Sequence, residues 1–326
     1  MHESMSNDHP AAAGPAVAAP PCLFCHGQAT QLLERIDTGE LSAAYRQQFD
    51  IDVTLPAAPI DYCLCRSCDL RFFSPAVTGS QDFYAQLQKI PWYYSAAKQE
   101  FGIAAQRVGA ADNVLEIGAG RGLFAREIRA ASYVGLEFSA DAIRWAATDG
   151  IRLLPETVEQ HAGHARGAYD IACTFQVLEH VADPRAFLQA AVQCLRAGGR
   201  LVVSVPAEDS FARFAYQDAL NMPPHHVTRW SDRALRSIGP ACGLRLVAII
   251  PEPLSRNMRR AYASAHADRL LGRWMGVQPR LLRSCAQRPQ LRWLLAALTA
   301  VIRNYLSVTR WQARRGHAVV AVFEKA

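Results

Sequence analysis

Two pairs of thiols, a glycine-rich turn followed by an acid, and two adjacent histidines are the residues of this 326-residue chain whose types and spacing can do chemistry. Cys22-Leu-Phe-Cys25 and Cys65-Arg-Ser-Cys68, with 39 residues between the pairs, form two short knuckles. Each knuckle can turn two thiolates toward one tetrahedral ion, and four thiolates close the coordination sphere of zinc. A closed sphere activates no water, so the predicted ion is structural. Cys63 is an extra thiol that either substitutes for Cys65 or stays free, and His26 is a competing ligand.

The turn reads Glu116-Ile-Gly118-Ala119-Gly120-Arg-Gly122, after a short apolar run and before a predicted helix at Leu123–Ala130. Alternating glycines let the backbone bend sharply and approach a ligand without a Cβ in the way. Amides at the start of the predicted helix would favour an anionic group, here a carboxylate rather than a phosphate. Nineteen residues after Gly118, Glu137 follows the next apolar run and can accept both hydroxyls of a ribose. Nicotinamide-binding domains share both features. Their third glycine stands at the sixth position of the loop, however, and Leu123 occupies it here, while Gly122 falls at the fifth.

Asn221-Met-Pro-Pro-His225-His226-Val-Thr-Arg-Trp230 is a loop stiffened by two prolines. His225, and after it His226, are candidates for a general base, with structural hydrogen bonding as their competing role. So is His180, which opens the predicted helix after the fourth strand and whose competing role is a helix-start residue packed beneath the site. Tyr93 and Tyr94, in the aromatic run from Trp92, are candidates to face a bound cation.

The elements that must position these groups alternate short apolar runs with amphipathic segments, the pattern of a parallel sheet with crossover helices. Candidate strands are 114–117, 133–136, 152–154, 170–174, 200–205, 244–250 and 318–324, with helices over 123–130, 140–147 and 185–195 between them. Gly198-Gly199 is expected to close the last of these helices. The predicted organisation is a disordered leader over 1–21, a zinc-binding module over 22–80 and a helical connector over 81–112. A cofactor-binding domain over 113–253, an arginine-rich helical insertion over 254–315 and a final strand over 316–326 follow.

Several motifs together resemble the class I S-adenosylmethionine-dependent methyltransferases. The glycine loop from Glu116 to Gly122 is similar to that family's first motif. Glu137, in Gly135-Leu-Glu-Phe138-Ser139, is similar to its ribose-binding acid. Phe175-Gln176-Val-Leu-Glu-His180-Val181, with Asp183-Pro184, resembles its fourth motif, and Leu195–Pro206 the strand after it. The resemblance implies an α/β fold with a seven-stranded, mostly parallel, doubly wound sheet whose last strand is antiparallel. It also implies S-adenosyl-L-methionine as cofactor, with Gly118 and Gly120 near the methionine moiety and Glu137 on the ribose. Glu116, Ala119, Gly122, Phe138, Gln176 and Tyr94 complete the expected cofactor site, and Glu156 or Thr157 is expected at the adenine. The thiol module, down to Arg71-Phe-Phe-Ser-Pro75, resembles zinc-ribbon-like modules that precede some sugar-modifying methyltransferases, and the Pro-Pro-His-His stretch occurs in methyltransferases acting on sugars and related metabolites. A hydroxyl, or a carbon, of a sugar, glycolipid or secondary metabolite is the implied acceptor. A nicotinamide-dependent oxidoreductase and a non-catalytic cofactor-binding scaffold are the rival readings.

Composition narrows the rest. Half the residues are apolar and a fifth charged, as in ordinary globular chains. No apolar run reaches the roughly 18 residues that span a bilayer. Five of the nine cysteines cluster before residue 70 and no export signal precedes them, so reduced thiols and a cytoplasmic location are expected. The formal charge is +6, yet the stretch from Leu254 to Gly316 holds thirteen arginines, no lysine and one acid, Asp268. Its apolar segment Leu291–Val308, with Trp293 and Trp311 near the ends, reads either as an amphipathic element on the inner face of an anionic membrane or as a helical cap packed on the sheet or in a homodimer interface. Basic residues with few interleaved aromatics do not predict a nucleic-acid partner.

Overall fold

The computed structural model describes residues 19–90, 98–215, 218–276, 280–282, 288–309 and 313–326. Tyr93, Tyr94, Trp311 and most of the leader lie outside these residues.

Two sheets carry the chain. The first is antiparallel: β1 (Thr30–Ile36), followed by helix α1 (Thr38–Phe49), pairs with β2 (Ile60–Cys65), which pairs with β3 (Arg71–Ser74). Helices α2 (Gln81–Leu87) and α3 (Gln99–Ala105) stand where one connector was expected. The second sheet starts with β4 (Asn113–Ile117) and β5 (Ser132–Leu136), then α4 (Ala140–Thr148), β6 (Leu153–Leu154), α5 (Val158–His164) and β7 (Tyr169–Phe175). It continues through α6 (Pro184–Cys194) to β8 (Leu195–Pro206). Next come the two-residue β9 (Thr228–Arg229), α7 (Asp232–Cys242), β10 (Leu244–Pro253), α8 (Arg259–Trp274), α9 (Pro289–Val308) and β11 (Arg315–Lys325).

The strand order of the second sheet is β10-β11-β8-β7-β4-β5-β6. Its four pairings from β8 to β6 are parallel, whereas β11 runs antiparallel to both β8 and β10. Because β4, β7 and residues 201–205 of β8 are covered on both faces, their side chains are almost wholly buried, which is why the sequence shows apolar runs there rather than alternation.

Two expectations are corrected. The segment after the glycine loop is not an α-helix but one 3-10 turn, Phe124–Arg126. Phe124 is drawn into an aromatic cluster with Phe101 and Phe175, and the Ala131 N–H already bonds the Asp112 carbonyl as the chain returns to the sheet, so no room remains for further turns. Gly198-Gly199 does not end a helix either. The helix ends at Cys194, and the glycines sit in an irregularity of β8: Leu195 pairs with Tyr169 and Arg200 with Ile171, so residues 196–199 loop out with Gly198 at φ 70°. A Cβ on Gly199 would lie 2.9 Å from the Arg196 carbonyl oxygen.

The first sheet is not self-contained. Its fourth strand is β9, which pairs with β3 through Arg71–Arg229 and Phe72–Thr228. Phe24, fully buried, meets Trp230 edge-on at 5.4 Å, and one apolar cluster runs from the cysteines into the main sheet. Among the described residues, no helix is long and apolar enough to cross a membrane.

Candidate functional site

Glu137 follows β5 at the carboxyl edge of the parallel strands, where open α/β sheets bind ligands. Its Oε2 accepts the Gly120 N–H at 2.8 Å, and Oε1 accepts those of Phe138 at 2.9 Å and Ser139 at 2.8 Å. Three amides take about three of the carboxylate's four lone pairs and leave about one, on Oε2, for a ribose hydroxyl. Gly118, Gly120 and Gly122 all take left-handed φ, of 73°, 55° and 69°. At Gly118 a Cβ would also meet Val177 Cγ2 at 2.4 Å, so this position requires glycine on two counts. Phe138 is 55% exposed, an aromatic face at the end of β5.

The rest of the expected cofactor set is arranged less openly. The N–H groups of Gly118 and Ala119 both bond the Leu136 carbonyl, and that of Gly122 bonds Ala119, so these amides hold the turn together instead of facing an anion. Glu116 is buried on β4 and accepts a hydrogen bond from the Tyr133 hydroxyl; burial pushes its carboxyl up to about 8. Gln176 sits at the end of β7 with φ 59°, unusual for a residue with a side chain, and its amide donates to Ser204 Oγ. The residues expected at the adenine have local roles. Thr157 caps α5 in a capping box with Gln160, and Glu156 bonds His161 and His164, which hold its carboxyl below the usual range.

His180, His225 and His226 meet. Their ring centroids are 4.5 Å (180–225), 4.5 Å (225–226) and 5.0 Å (180–226) apart. Each Nδ1 donates to an oxygen that can only accept: His180 to the His225 carbonyl, His225 to the Leu220 carbonyl at 2.7 Å, and His226 to Asn221 Oδ1 at 3.2 Å. The neutral rings therefore carry their lone pairs on Nε2. Burial depresses all three, His180 to about 4 and the other two well below 6.5, so they are unprotonated at neutral pH. One ring nitrogen from each lies within 4.8 Å of the others. The rings of His225 and His226, however, stack within 17° of parallel, so their in-plane lone pairs run side by side rather than toward a common ion. The cluster therefore presents neutral rings, and burial disfavours their protonation.

Two neighbours of this cluster carried no sequence signal beyond adjacency. Glu179 is buried, neither of its oxygens has a hydrogen-bond partner, and burial pushes it up to about 8. Tyr84 on α2 meets His180 edge-on at 5.9 Å, so the segment before the parallel sheet covers the histidines.

Cys22, Cys25, Cys65 and Cys68 place their sulfurs within 4.8 Å of one another, with Cys22–Cys68 at 3.7 Å and Cys25–Cys65 at 3.5 Å. A tetrahedron with metal–sulfur bonds of about 2.3 Å has edges of about 3.8 Å, so the four donors fit a zinc ion. The Cys22–Cys68 contact draws Cys22 down to about 5 and raises Cys68. Both knuckles close on a left-handed residue, His26 at φ 57° and Asp69 at φ 68°, so His26 turns the chain and is not in the thiol group. Cys63 also lies outside it, buried on β2 with its thiol raised to about 11 by burial. The second knuckle reaches the histidine loop directly. The Phe73 N–H bonds the Val227 carbonyl, the Val227 N–H bonds the Glu179 carbonyl, and the Ser231 hydroxyl donates to Asp69.

Comparison with known proteins bears on the stretch that holds the loop and the histidine cluster. Residues 89–249 match a family described as a methyltransferase domain. Over 113 residues the chain is 34% identical to the ubiquinone biosynthesis O-methyltransferase of Cronobacter sakazakii, 32% of this chain and 46% of that one. The Escherichia coli protein of the same name is 32% identical over 113 residues, 32% of this chain and 47% of that one. The chain thus spans less than half the length of these curated relatives. Among solved structures, a Thermotoga maritima protein described as a SAM-dependent methyltransferase, possible histamine N-methyltransferase, superposes with a TM-score of 0.46 at 17% identity, over 70% of this chain and 88% of that one. The methyltransferase-domain match includes β4 to β9, the first part of β10 and all three histidines, and leaves the four cysteines, the α8–α9 hairpin and β11 outside it.

Proposed function

We propose that this chain is an S-adenosylmethionine-dependent methyltransferase acting on a hydroxyl of a sugar, glycolipid or secondary-metabolite acceptor. The observation that carries the reading is the reversed strand β11 lying between β8 and β10 in an otherwise parallel sheet. It is the one feature of the sheet that a nicotinamide-binding domain lacks and that the methyltransferase resemblance requires. The single 3-10 turn after the glycine loop points the same way, since a pyrophosphate needs the N-terminus of a full helix there.

The residues fit the cofactor at its ribose. Glu137, held by three amides, accepts a ribose hydroxyl on Oε2; Gly118 and Gly120 leave the backbone bare beside it; Phe138 offers its ring to the base. When bound, the cofactor supplies a methyl group already activated by the sulfonium. The protein then has to align the acceptor, exclude water and take one proton. Nε2 of His225, at the centre of the buried histidine cluster, takes the hydroxyl proton in this reading, with His180 and His226 shaping its surroundings. Transfer to oxygen also agrees with the names of the curated relatives, which align over about a third of the chain.

We infer further that Cys22, Cys25, Cys65 and Cys68 hold a structural zinc ion, and that the protein works in the cytoplasm, where thiols stay reduced. Calorimetric titration with S-adenosylmethionine, S-adenosylhomocysteine and NAD tests the cofactor assignment. Binding of the first two and not the third is expected; binding of NAD alone would overturn it.

A further inference from the structure

The hairpin of α8 and α9 presents a surface that the methyl-transfer chemistry does not use. The two helices pack on each other through Ala267, Leu271, Leu291 and Leu295, and α8 rests on the turn at Phe211–Phe214 through Phe211 and Ala265. This inner packing leaves an apolar stripe outside. Trp293, Ala297, Val301 and Tyr305 recur every fourth residue of α9 and so share one side of the helix. Trp293 is 67%, Val301 65% and Tyr305 57% exposed, and Trp274, at the end of α8, is 76% exposed.

Beside the stripe runs an open groove of about 460 Å³ lined by Arg260, Arg292 and Arg303, with Leu295 and Thr299 on its floor. Among the described residues no carboxylate pairs with any of these three guanidinium groups. The one acid between Leu254 and Gly316, Asp268, is buried, whereas thirteen arginines share that stretch. Unpaired arginines beside exposed tryptophan and tyrosine suit a boundary where phosphate lies against hydrocarbon: the guanidinium takes the phosphate and the aromatic ring enters the apolar layer. A soluble anion would leave the stripe bare, and an apolar protein partner would leave the arginines unanswered.

We propose that the α8–α9 hairpin docks the protein on an anionic phospholipid surface, with Arg260, Arg292 and Arg303 on headgroup phosphates and Trp293, Val301 and Tyr305 at the acyl boundary. The inference is independent of the methyltransferase reading, because binding is read physically.

Sedimentation of the full chain with phosphatidylcholine vesicles, with and without phosphatidylglycerol, tests it. Binding is expected only to the anionic vesicles and weakens as salt rises. At about 1 kcal/mol per arginine near such a surface, the triple variant Arg260→Gln, Arg292→Gln, Arg303→Gln should partition about a hundredfold less. The double variant Trp293→Ser, Val301→Ser should also bind more weakly, with its salt dependence retained. All five positions line the surface, so unchanged thermal unfolding is expected for both variants. Equal binding to both vesicle types, or undiminished binding by the triple variant, would overturn the proposal. So would absence of vesicle binding together with self-association that Trp293→Ser abolishes, which would assign the face to a second copy, or with capture of single-stranded RNA, which would assign it to nucleic acid.

Discussion

Glu137→Gln exchanges one carboxylate oxygen for an amide NH₂ at nearly constant volume. In the structure Oε1 serves Phe138 and Ser139 while Oε2 serves Gly120, so the glutamine orientation that keeps two of the three amides bonded turns its NH₂ toward the Gly120 N–H. The ribose hydroxyl at Oε2 then loses its acceptor. A hydrogen bond to a charged group contributes about 1.5–3 kcal/mol. Its loss weakens S-adenosylhomocysteine binding roughly 10- to 150-fold. Glu137 is only half-buried, so water reaches the abandoned Gly120 amide, and the cost to folding stays near 1 kcal/mol. Calorimetric titration alongside thermal unfolding separates the two effects. A dissociation constant within threefold of the wild type, in a variant that unfolds normally, would show that Glu137 does not grip the ribose.

Other outcomes follow from the same geometry. Burial raises Glu179 to about 8 from an unfolded value near 4.5, so between those pH values the unfolded chain releases a proton that the folded chain keeps. Stability contributed by the neutral carboxyl is complete below pH 4.5 and is lost at about 1.4 kcal/mol per pH unit up to about pH 8. Denaturant unfolding of Glu179→Gln across that range should show a gap to the wild type that grows with pH, and a constant gap would refute the assignment. His225→Ala should lower turnover by about 10²- to 10⁴-fold while cofactor affinity stays within threefold. Unchanged turnover in the double alanine variant of His225 and His226 would dismiss the base role. Elemental analysis should find one zinc per chain and Cys65→Ser should lose it. Because β3 pairs with β9 beside the histidine loop, zinc removal should cut turnover more than cofactor affinity, and a metal content well below one would reject the site.

The parts of the fold legible in the amino-acid sequence are those with a local physical signature. Strands buried on both faces must be apolar throughout, so β4, β5, β7, β11 and residues 201–205 of β8 stand out as runs, and β10 is an apolar run although it is only half-buried at the sheet edge. Thiol pairs two residues apart can converge only if the chain turns between them, and that turn needs few partners. Glu137 lies one crossover from the glycine loop, and the parallel register of β4 and β5 brings it to Gly120. Where reasoning from local pattern failed, a distant partner had intervened. Phe124 follows a run that reads as helical, yet its burial against Phe101 and Phe175 leaves only one turn.

What only the tertiary structure decided is how the histidines are held. Two residues of β9 have no periodicity to read, and their pairing with β3 is what joins the thiol module to the loop of His225 and His226. Nothing near Glu179 in the chain reveals that it is buried with neither oxygen hydrogen-bonded among the described residues, and nothing near Tyr84 reveals that it lies against His180. Spacing and residue type determined which groups could bind a metal ion or a ribose, because those depend on short stretches of backbone. Burial, and with it the protonation state of the histidines, was set by segments up to about 200 residues apart, from Cys22 to Trp230, because desolvation depends on whatever else packs around a group.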